Sequence, residues 1–243
     1  MSDWDKIFDE LYLRTYANMI DNDLAPAQAE SLVRLVGLEA GADLLDCPCG
    51  YGRHSIEFTR LGLHVVGADR SEVLLAEAKR RAGEGDWTRW VRADYRDLPF
   101  EDASFDCVTN LFSSLGYWGE DGDLQALREF RRVLRPGGTL VVETMHRDRL
   151  MAIYVPRHWH DLPDGSLVVE ERAIDYVKGT TVVRHELVET SGRNAAHYEM
   201  RIYTVTELVA LAREAGFENV RCYGDFDEAV PVSRDTRLVL VAS

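Results

Sequence analysis

Residues 46–53 read Asp-Cys-Pro-Cys-Gly-Tyr-Gly-Arg, and this stretch decides the fold more than any other part of the chain. It follows the apolar pair Leu44–Leu45 and leads into His-Ser-Ile-Glu-Phe at 54–58, a pattern typical of a strand, a tight turn and the start of a helix. Because glycine has no Cβ, the backbone at Gly50 and Gly52 can adopt positive φ and come close to a ligand. The acid at the strand end suits a ligand with a cationic end rather than a diphosphate.

Two later acids occupy similar places at the ends of apolar runs. Asp69 ends the run that begins at His64, and Asp94 follows a third short run. At the end of the second strand of a doubly wound sheet, a carboxylate can accept hydrogen bonds from both hydroxyls of a ribose, and Asp94 is placed to meet an adenine amino group. The apolar runs at 105–111 and 133–142 predict a fourth and a fifth strand.

Together with the Pro-Gly-Gly turn at 136–138, these motifs resemble those of the class I S-adenosylmethionine-dependent methyltransferases in order and spacing. The resemblance covers roughly residues 40–145. The usual loop of that family is nearer Asp-x-Gly-Cys-Gly-x-Gly, whereas this chain has Pro48, which fixes φ and has no N–H to offer a cofactor. We interpret Asp-x-Pro-Cys-Gly-Tyr-Gly-Arg-His as a variant of the motif.

Alternating strand and helix patterns, together with this resemblance, predict an α/β fold. We expect a Rossmann-like, seven-stranded, mostly parallel sheet with helices on both faces, plus a small antiparallel β cap inserted after strand five. The expected domains are an N-terminal helical lid at 1–38, a core at 39–146 and 204–243, and a substrate cap at 147–203 with three strands at 166–175, 180–189 and 197–203. The cap could also be a dimerisation surface.

The resemblance implies S-adenosylmethionine as methyl donor, S-adenosylhomocysteine as product, and no metal. The implied cofactor residues are Asp46, Cys49, Gly50 and Gly52 at the methionyl end, Asp69 at the ribose, Arg70, Asp94 and Tyr95 around the adenine, and Asn110 and Leu111 beside the reactive methyl group. In related enzymes an N-terminal extension folds over the cofactor cleft, so Tyr16 is the expected lid contact, with core packing as its alternative. Simpler alternatives for Asp46 and Asp94 are capping and turn carboxylates.

Three residues are candidates for the catalytic step, which requires positioning of the nucleophile more than a base. His146 can accept a proton near neutral pH, Arg147 can bind a substrate carboxylate bidentately, and Tyr117 lies in the loop that begins at Asn110. A structural role for His146 is the competing interpretation. The His-Trp-His segment at 158–160 could suggest a metal site, but we favour a structural pair because no further ligand cluster follows.

The composition of the chain argues against nucleic-acid-binding, membrane-spanning, secreted and zinc-binding proteins. The chain has 243 residues and a net charge of −14, which disfavours nucleic-acid partners. No segment approaches the roughly 18 apolar residues that span a bilayer, and the N-terminus lacks a signal-peptide pattern. The four cysteines have no zinc-site spacing. These features predict a cytoplasmic enzyme, monomeric or homodimeric, that acts on an O, N or C atom of a small molecule and has no membrane partner.

Three alternatives stay open at this point. One is a methyltransferase that acts on RNA or protein. Another is a non-catalytic cofactor-binding or scaffold protein. A third is an NAD-dependent oxidoreductase, and Ser55 argues against it because it occupies the place of the third glycine of a dinucleotide-binding turn.

Overall fold

Two β-sheets organise the computed structural model, which describes residues 4–19 and 22–243. Residues 1–3 and 20–21, which belong to the expected lid and include part of the N-terminus considered for a signal peptide, lie outside the described residues. The helices are α1 Trp4–Lys6, α2 Tyr12–Arg14, α3 Tyr16–Met19, α4 Ala25–Val36, α5 Arg53–Arg60, α6 Glu72–Ala82, α7 Gly119–Val133, α8 Arg147–Ala152 and α9 Val205–Glu214, with a π-helical turn at Ile7–Leu11 and a 3₁₀ turn at Asn22–Leu24.

The larger sheet has seven strands, as predicted. They are β1 Asp43–Asp46, β2 His64–Asp69, β3 Arg89–Arg92, β4 Phe105–Asn110, β5 Leu134–Thr144, β10 Val220–Tyr223 and β11 Leu238–Ala242. Their order is β10-β11-β5-β4-β1-β2-β3, and β1 to β5 are parallel, while β11 runs antiparallel to both of its neighbours. The prediction of a mostly parallel, Rossmann-like sheet is therefore confirmed.

Helices cover both faces of this sheet because its central strands are apolar on both sides. Leu45 and Val142 pack on the side of α7 and α9, and Leu44 and Val141 pack on the side of α4 and α5. Consecutive strand residues thus enter opposite cores, as the period of two requires. Among the described residues, no helix has the length and apolar character needed to cross a membrane.

The second sheet is the antiparallel insertion after β5, and it has four strands where the sequence predicted three. They are β6 Arg157–Asp161, β7 Leu167–Asp175, β8 Thr180–Glu189 and β9 Gly192–Arg201, in that spatial order. The additional strand, β6, reads Arg-His-Trp-His-Asp and has no apolar alternation, so pairing with β7 gives it its strand conformation. The segment expected to form the cap also begins with a helix, α8.

A buried carboxylate joins the larger sheet's helical layer to the end of the cap. Asp123, on α7, accepts hydrogen bonds from the Tyr203 hydroxyl at 2.7 Å and from the Gly116 N–H at 3.0 Å. Burial raises the pKa of Asp123 to about 6, although both hydrogen bonds oppose this shift. These contacts fix the chain where it leaves β9 and where it follows β4.

We expect Tyr203→Phe to lower the free energy of unfolding by about 1–3 kcal/mol, because a buried carboxylate loses one of its two donors. The measurement is urea denaturation. Tyr223→Phe is the matched control, since that hydroxyl makes only a 3.5 Å contact with Glu228 at the surface, and we expect a change within about 0.5 kcal/mol. Equal losses in the two variants would contradict a structural role for the Asp123 contact.

Candidate active site

A cavity of about 570 Å³ lies at the carboxyl ends of β1 to β5, where open α/β sheets bind ligands. Its volume suits a small-molecule ligand. The segment 4–16 covers one part of it, and strands β7 to β9 of the smaller sheet cover another. The cavity thus runs from the glycine turn after β1 to the antiparallel sheet.

The glycine turn after β1 forms one end of the cavity. Gly50 and Gly52 have φ of +56° and +79°, in the region that favours glycine. A Cβ at Gly50 would meet nothing within 4 Å, whereas a Cβ at Gly52 would lie 2.5 Å from the Trp90 ring. Gly50 therefore leaves the backbone open to a ligand, and Gly52 admits the packing of Trp90 beneath the turn.

Asp46 ends β1 and is buried beside the turn. Its carboxylate accepts hydrogen bonds from the Ser55 hydroxyl at 2.6 Å and the Thr109 hydroxyl at 2.9 Å. Burial raises the pKa of Asp46 to about 6, while these hydrogen bonds and the positive charge of Arg53 act in the opposite direction. Ser55, where a dinucleotide-binding turn has glycine, thus orients the acid that lines the cavity.

Asp69 ends β2 and connects two neighbouring loops. Its carboxylate accepts the backbone N–H of Gly50 at 2.8 Å and that of Ser71 at 2.9 Å. Burial raises its pKa, although these backbone bonds oppose the shift. The side chain lines the cavity, and each oxygen has a second lone pair that can accept a ligand hydroxyl.

The structure does not bring Asp94 to the cavity. Its carboxylate accepts two hydrogen bonds from the Arg96 guanidinium, at 3.0 and 2.6 Å. Burial would raise the pKa of Asp94, but the hydrogen bonds from Arg96 outweigh it and lower the pKa. The expected adenine contact therefore has no geometric support, because an arginine two residues away holds the carboxylate. Tyr95, the next residue, does line the cavity, as does Arg70 after β2.

A further cavity carboxylate comes from a residue that the sequence analysis did not single out. Asp9 lines the cavity on the segment that packs against α6, where Phe8 and Asp9 depart from helical φ and ψ. Its Oδ1 is buried and has no hydrogen-bond partner among the described residues. Because such burial is costly, Asp9 is a candidate to accept a hydrogen bond from a bound ligand. No local sequence pattern marks it.

The loop after β4 is held in a strained conformation. Phe112 and Ser113 have φ of +62° and +59°, which is unusual for two consecutive residues other than glycine. Glu143 accepts the Phe112 N–H at 2.8 Å, and Arg237 pairs with Glu143 and donates to the Ser113 hydroxyl at 2.9 Å. Strain of this kind is typical of functional loops, and Leu111, at the start of this loop, lines the cavity as expected.

Asn110 and Gly52 support the site from outside its lining. The Asn110 amide, wholly buried, donates to the Cys47 carbonyl at 3.0 Å and so ties the end of β4 to the glycine turn. Gly52 is the N-cap residue of α5, and its lack of a Cβ leaves room for the Trp90 ring. Neither residue lines the cavity, whereas Cys49 and Gly50 do.

A polar network lies where the N-terminal segment meets the smaller sheet. The Tyr16 hydroxyl donates to the Glu170 carboxylate, which also pairs with Arg172. The Tyr198 hydroxyl lies 3.1 Å from that of Tyr16 and can donate to it. Burial raises the pKa of Tyr198 to about 12 and that of Tyr16 well above its usual value, so both phenols are neutral near pH 7.

Hydrogen bonds on both ring nitrogens fix the orientation of His185 in this network. The imidazole is fully buried, with Nδ1 3.0 Å from Glu170 and Nε2 2.8 Å from the Thr15 hydroxyl. Thr15 gives its own proton to the Leu11 carbonyl at 2.7 Å, so its oxygen must accept from His185. Although burial acts to raise the pKa of Glu170, the hydrogen bond from His185, the charge of Arg172 and other contacts lower it to about 2, so this carboxylate also accepts. The imidazole is thus held between Glu170 on β7 and Thr15 of the N-terminal segment.

Aromatic side chains enclose the cavity between the N-terminal segment and the smaller sheet. Trp4 and Phe8 meet the Tyr117 ring edge-on at centroid distances of 4.8 and 5.1 Å. Tyr198 lies 5.6 Å from Trp4 and 6.2 Å from Tyr117. These four rings form what we call the aromatic cage. Tyr117, a predicted catalytic residue, is part of it.

The structure does not bring His146 and Arg147 to the cavity. His146 is buried with Nε2 3.1 Å from the Ser233 carbonyl, and its Nδ1 has no partner among the described residues. Arg147 is partly exposed and lies 4.0 Å from Glu207. Met145 is the residue of this segment that lines the cavity, and in an extended chain the next side chain points away. The expected roles of base and carboxylate ligand therefore lack geometric support.

Nine of the expected site residues line one cavity. They are Tyr16, Asp46, Cys49, Gly50, Asp69, Arg70, Tyr95, Leu111 and Tyr117. Asp9 and Arg237 are functional candidates that sequence reasoning missed. No local pattern marks Asp9, and the partner of Arg237, Glu143, lies 94 residues away in the sequence. In the described part of the chain, no group of three or more His, Cys, Asp or Glu side chains could hold a metal ion.

We expect Gly52→Ala to lower the free energy of unfolding by about 2–4 kcal/mol, from left-handed strain and the clash with Trp90. Gly50→Ala is the matched control, because it carries the strain without a clash and should cost about 1 kcal/mol. Urea denaturation with an unchanged m-value measures both. A loss in Gly52→Ala no larger than that in the control would contradict the packing role assigned to Gly52.

Known proteins resemble this chain in sequence. Residues 44–138 match a family model described as a methyltransferase domain. A demethylmenaquinone methyltransferase from Clavibacter sepedonicus is 41% identical over 109 residues, 45% of this chain and 43% of that protein. A glycine/sarcosine N-methyltransferase from Parasynechococcus marenigrum is 28% identical over 235 residues, 92% of this chain and 76% of that protein. The chain thus spans less than half the length of the first relative.

A solved structure resembles this chain along its whole length. The CcbJ methyltransferase from Streptomyces caelestis superposes with a TM-score of 0.82, covers 98% of both chains and is 21% identical in sequence. At this identity, the likeness establishes the shared fold alone.

Proposed function

We propose that this chain is a class I S-adenosylmethionine-dependent methyltransferase that methylates an amine of a small molecule and releases S-adenosylhomocysteine. The match of residues 44–138 to a methyltransferase domain supports the choice of donor. The aromatic cage above the strand ends is the observation that carries the choice of acceptor. The segment 1–38 acts as the lid, 147–203 as the substrate cap, and 39–146 with 204–243 as the core.

The cavity residues fit the methyl donor. Asp69 offers its remaining lone pairs to the ribose hydroxyls, and the unpartnered Oδ1 of Asp9 offers a further acceptor. Gly50 leaves room for close approach, since a Cβ there would meet nothing within 4 Å. The buried carboxylate of Asp46 complements the cationic methionyl end. When bound, S-adenosylmethionine supplies a methyl group on a sulfonium, which is a good leaving group.

An amine acceptor is supported by the aromatic cage, whose four rings contribute no carboxylate or imidazole to the place of the acceptor. Asp46, with its raised pKa, lies at the glycine turn, where the donor binds in this proposal. Glu170 is held ionised with a pKa of about 2, and burial, with repulsion from Arg53, lowers the pKa of His54 to about 3. Groups with such low pKa values remove protons poorly at neutral pH. A neutral amine attacks with its own lone pair and needs no such base. The cage rings also stabilise the methylammonium that forms.

The cage and the polar network position the acceptor. Tyr16 gives its proton to Glu170, and Tyr198 can give its proton to Tyr16, which leaves the oxygen of Tyr198 free to accept an N–H from the substrate. A fixed N–H directs the nitrogen lone pair towards the strand ends, where the methyl group lies in this proposal. The protein thus contributes orientation and exclusion of water.

The net charge and the state of the cysteines support two further parts of the proposal, a small-molecule substrate and a cytoplasmic location. The net charge of −14 disfavours nucleic-acid substrates. Cys47, Cys49, Cys107 and Cys222 are all unpaired, which agrees with a cytoplasmic location. Binding of NAD compared with S-adenosylhomocysteine tests the oxidoreductase alternative, and turnover of an acceptor tests the scaffold alternative.

We expect Asp69→Ala to weaken S-adenosylhomocysteine binding by about 100-fold, because two charge-assisted hydrogen bonds to the ribose are lost. Isothermal titration calorimetry measures the affinity. Asp94→Asn is the matched control and should change it by less than about threefold, since Asp94 is turned to Arg96 and away from the cavity. Wild-type protein that binds NAD and not S-adenosylhomocysteine would contradict the proposed donor.

We expect kcat/KM for an amine acceptor to rise about tenfold per pH unit below the pKa of that amine and to level off above it. The neutral amine is the nucleophile, so the substrate's own titration sets the profile between pH 7 and 9. His146→Gln should keep this profile, because His146 lies outside the cavity. Mass spectrometry of N-methylated products from a panel of small amines provides the readout. Loss of turnover in folded His146→Gln, or methylation confined to hydroxyl acceptors, would contradict the proposal.

A further inference from the structure

Strand β6 is an open edge of the cap sheet. Within the described part of the chain it has a hydrogen-bonded neighbour on one side only, which is β7. Two backbone bonds flank this pairing: the Arg172 N–H donates to the Pro156 carbonyl at 2.8 Å, and the Leu162 N–H donates to the Ser166 carbonyl at 2.8 Å. They set the phase of the ladder, because hydrogen-bonded and non-hydrogen-bonded pairs alternate along antiparallel strands.

This phase decides which backbone groups of β6 point outward. His158 and His160, two residues on from each flanking bond, direct their N–H and C=O groups to β7. Arg157, Trp159 and Asp161 therefore direct theirs to the open edge. Their side chains share one face of the sheet, and Trp159 is 67% exposed there. An uncovered edge with a large exposed aromatic is a template for pairing with another strand.

We propose that β6 pairs antiparallel with β6 of a second copy of this chain, about a two-fold axis at Trp159, so that two cap sheets join into one. In this register Trp159 lies opposite Trp159 of the second copy, and Arg157 lies opposite Asp161 of the second copy. All three outward-facing residues then form hydrogen-bonded pairs, which gives about six main-chain hydrogen bonds. Each dimer gains two cross-strand ion pairs and one aromatic pair.

Charge complementarity selects both the partner and the register. A pairing centred on Arg157 or on Asp161 would put like charges opposite each other, which is destabilising. A pairing centred on His158 or His160 would leave an end of each strand without its opposite charge. The sequence Arg-His-Trp-His-Asp is complementary to itself only when centred on Trp159. A two-fold, self-complementary contact is the usual way in which identical chains associate.

Two exposed apolar side chains also precede β6 in the chain. Ile153 is 44% and Val155 48% exposed in the segment that leads into the strand. A pair of five-residue strands is nonetheless smaller than the about 800 Å² per partner of a stable complex, so we expect a dissociation constant on the order of 10 µM. Dimerisation should therefore be visible as a concentration-dependent equilibrium.

Sedimentation velocity of the full chain over about 1–100 µM tests the proposal, a range centred on the expected constant. Wild type should pass from monomer to dimer across this range. Asp161→Arg and, separately, Arg157→Asp should each weaken association at least tenfold, because every dimer then has two like-charge pairs. The double variant with both substitutions should recover the wild-type constant within about threefold, since it restores opposite charges in reversed order.

Glu84→Arg is the matched control, because it makes the same charge reversal at an exposed loop outside β6, and it should dimerise like wild type. Thermal melting checks the fold of each variant, since Arg157 also pairs with Glu171 of its own chain at 3.2 Å. A monomeric wild type at 100 µM would overturn the proposal, as would dimerisation of Asp161→Arg at the wild-type constant. A folded double variant that stays as weak as the single variants would overturn it too.

Discussion

The Asp69 carboxylate holds two backbone N–H groups, and the floor of the cavity depends on it. One bond, to Gly50 at 2.8 Å, fixes the glycine turn after β1, and the other, to Ser71 at 2.9 Å, fixes the start of α6 after β2. A single buried side chain thus aligns two neighbouring strand ends. The cost of burying this acid, visible in its raised pKa, is offset by backbone donors that stay in place without a ligand. The cavity floor is therefore organised before a ligand arrives.

A second buried carboxylate organises the cover of the cavity. Glu170, on β7, meets Tyr16 from the N-terminal segment, Arg172 from its own strand and His185 from β8. A carboxylate buried to this extent is stable only with such donors, since an unpaired buried charge is strongly destabilising. The N-terminal segment and the smaller sheet consequently form one unit on this side of the cavity. Loss of Arg172 would leave the buried Glu170 carboxylate without its guanidinium partner.

The sequence predicts the parts of the site that local pattern determines. Parallel strands bring their carboxyl ends to one edge, so Asp46, Gly50 and Asp69 could be expected together from motif order alone. Side-chain direction was not predictable in the same way: a neighbouring arginine holds Asp94. The pair of Glu143 and Arg237 is separated by 94 residues, and β6 becomes a strand through pairing with β7. Contacts of this kind depend on tertiary structure, which no local period reveals.

The two halves of the cavity are built by different physical means. We call the part at the strand ends, where the methyl donor binds in our proposal, the donor half, and the part between the N-terminal segment and the smaller sheet the acceptor half. The donor half rests mainly on backbone geometry, namely strand ends, a glycine turn and N–H groups held by one acid. The acceptor half rests on side chains from the N-terminal segment and the smaller sheet, where substitutions can alter shape and polarity without disturbing the larger sheet. β6 lies next to β7, with His158 opposite Glu170 in the register. Association of two copies through β6 would therefore extend the sheet at the strand next to β7, which carries Glu170 and Arg172, and so would stiffen the acceptor half while leaving the donor half unchanged.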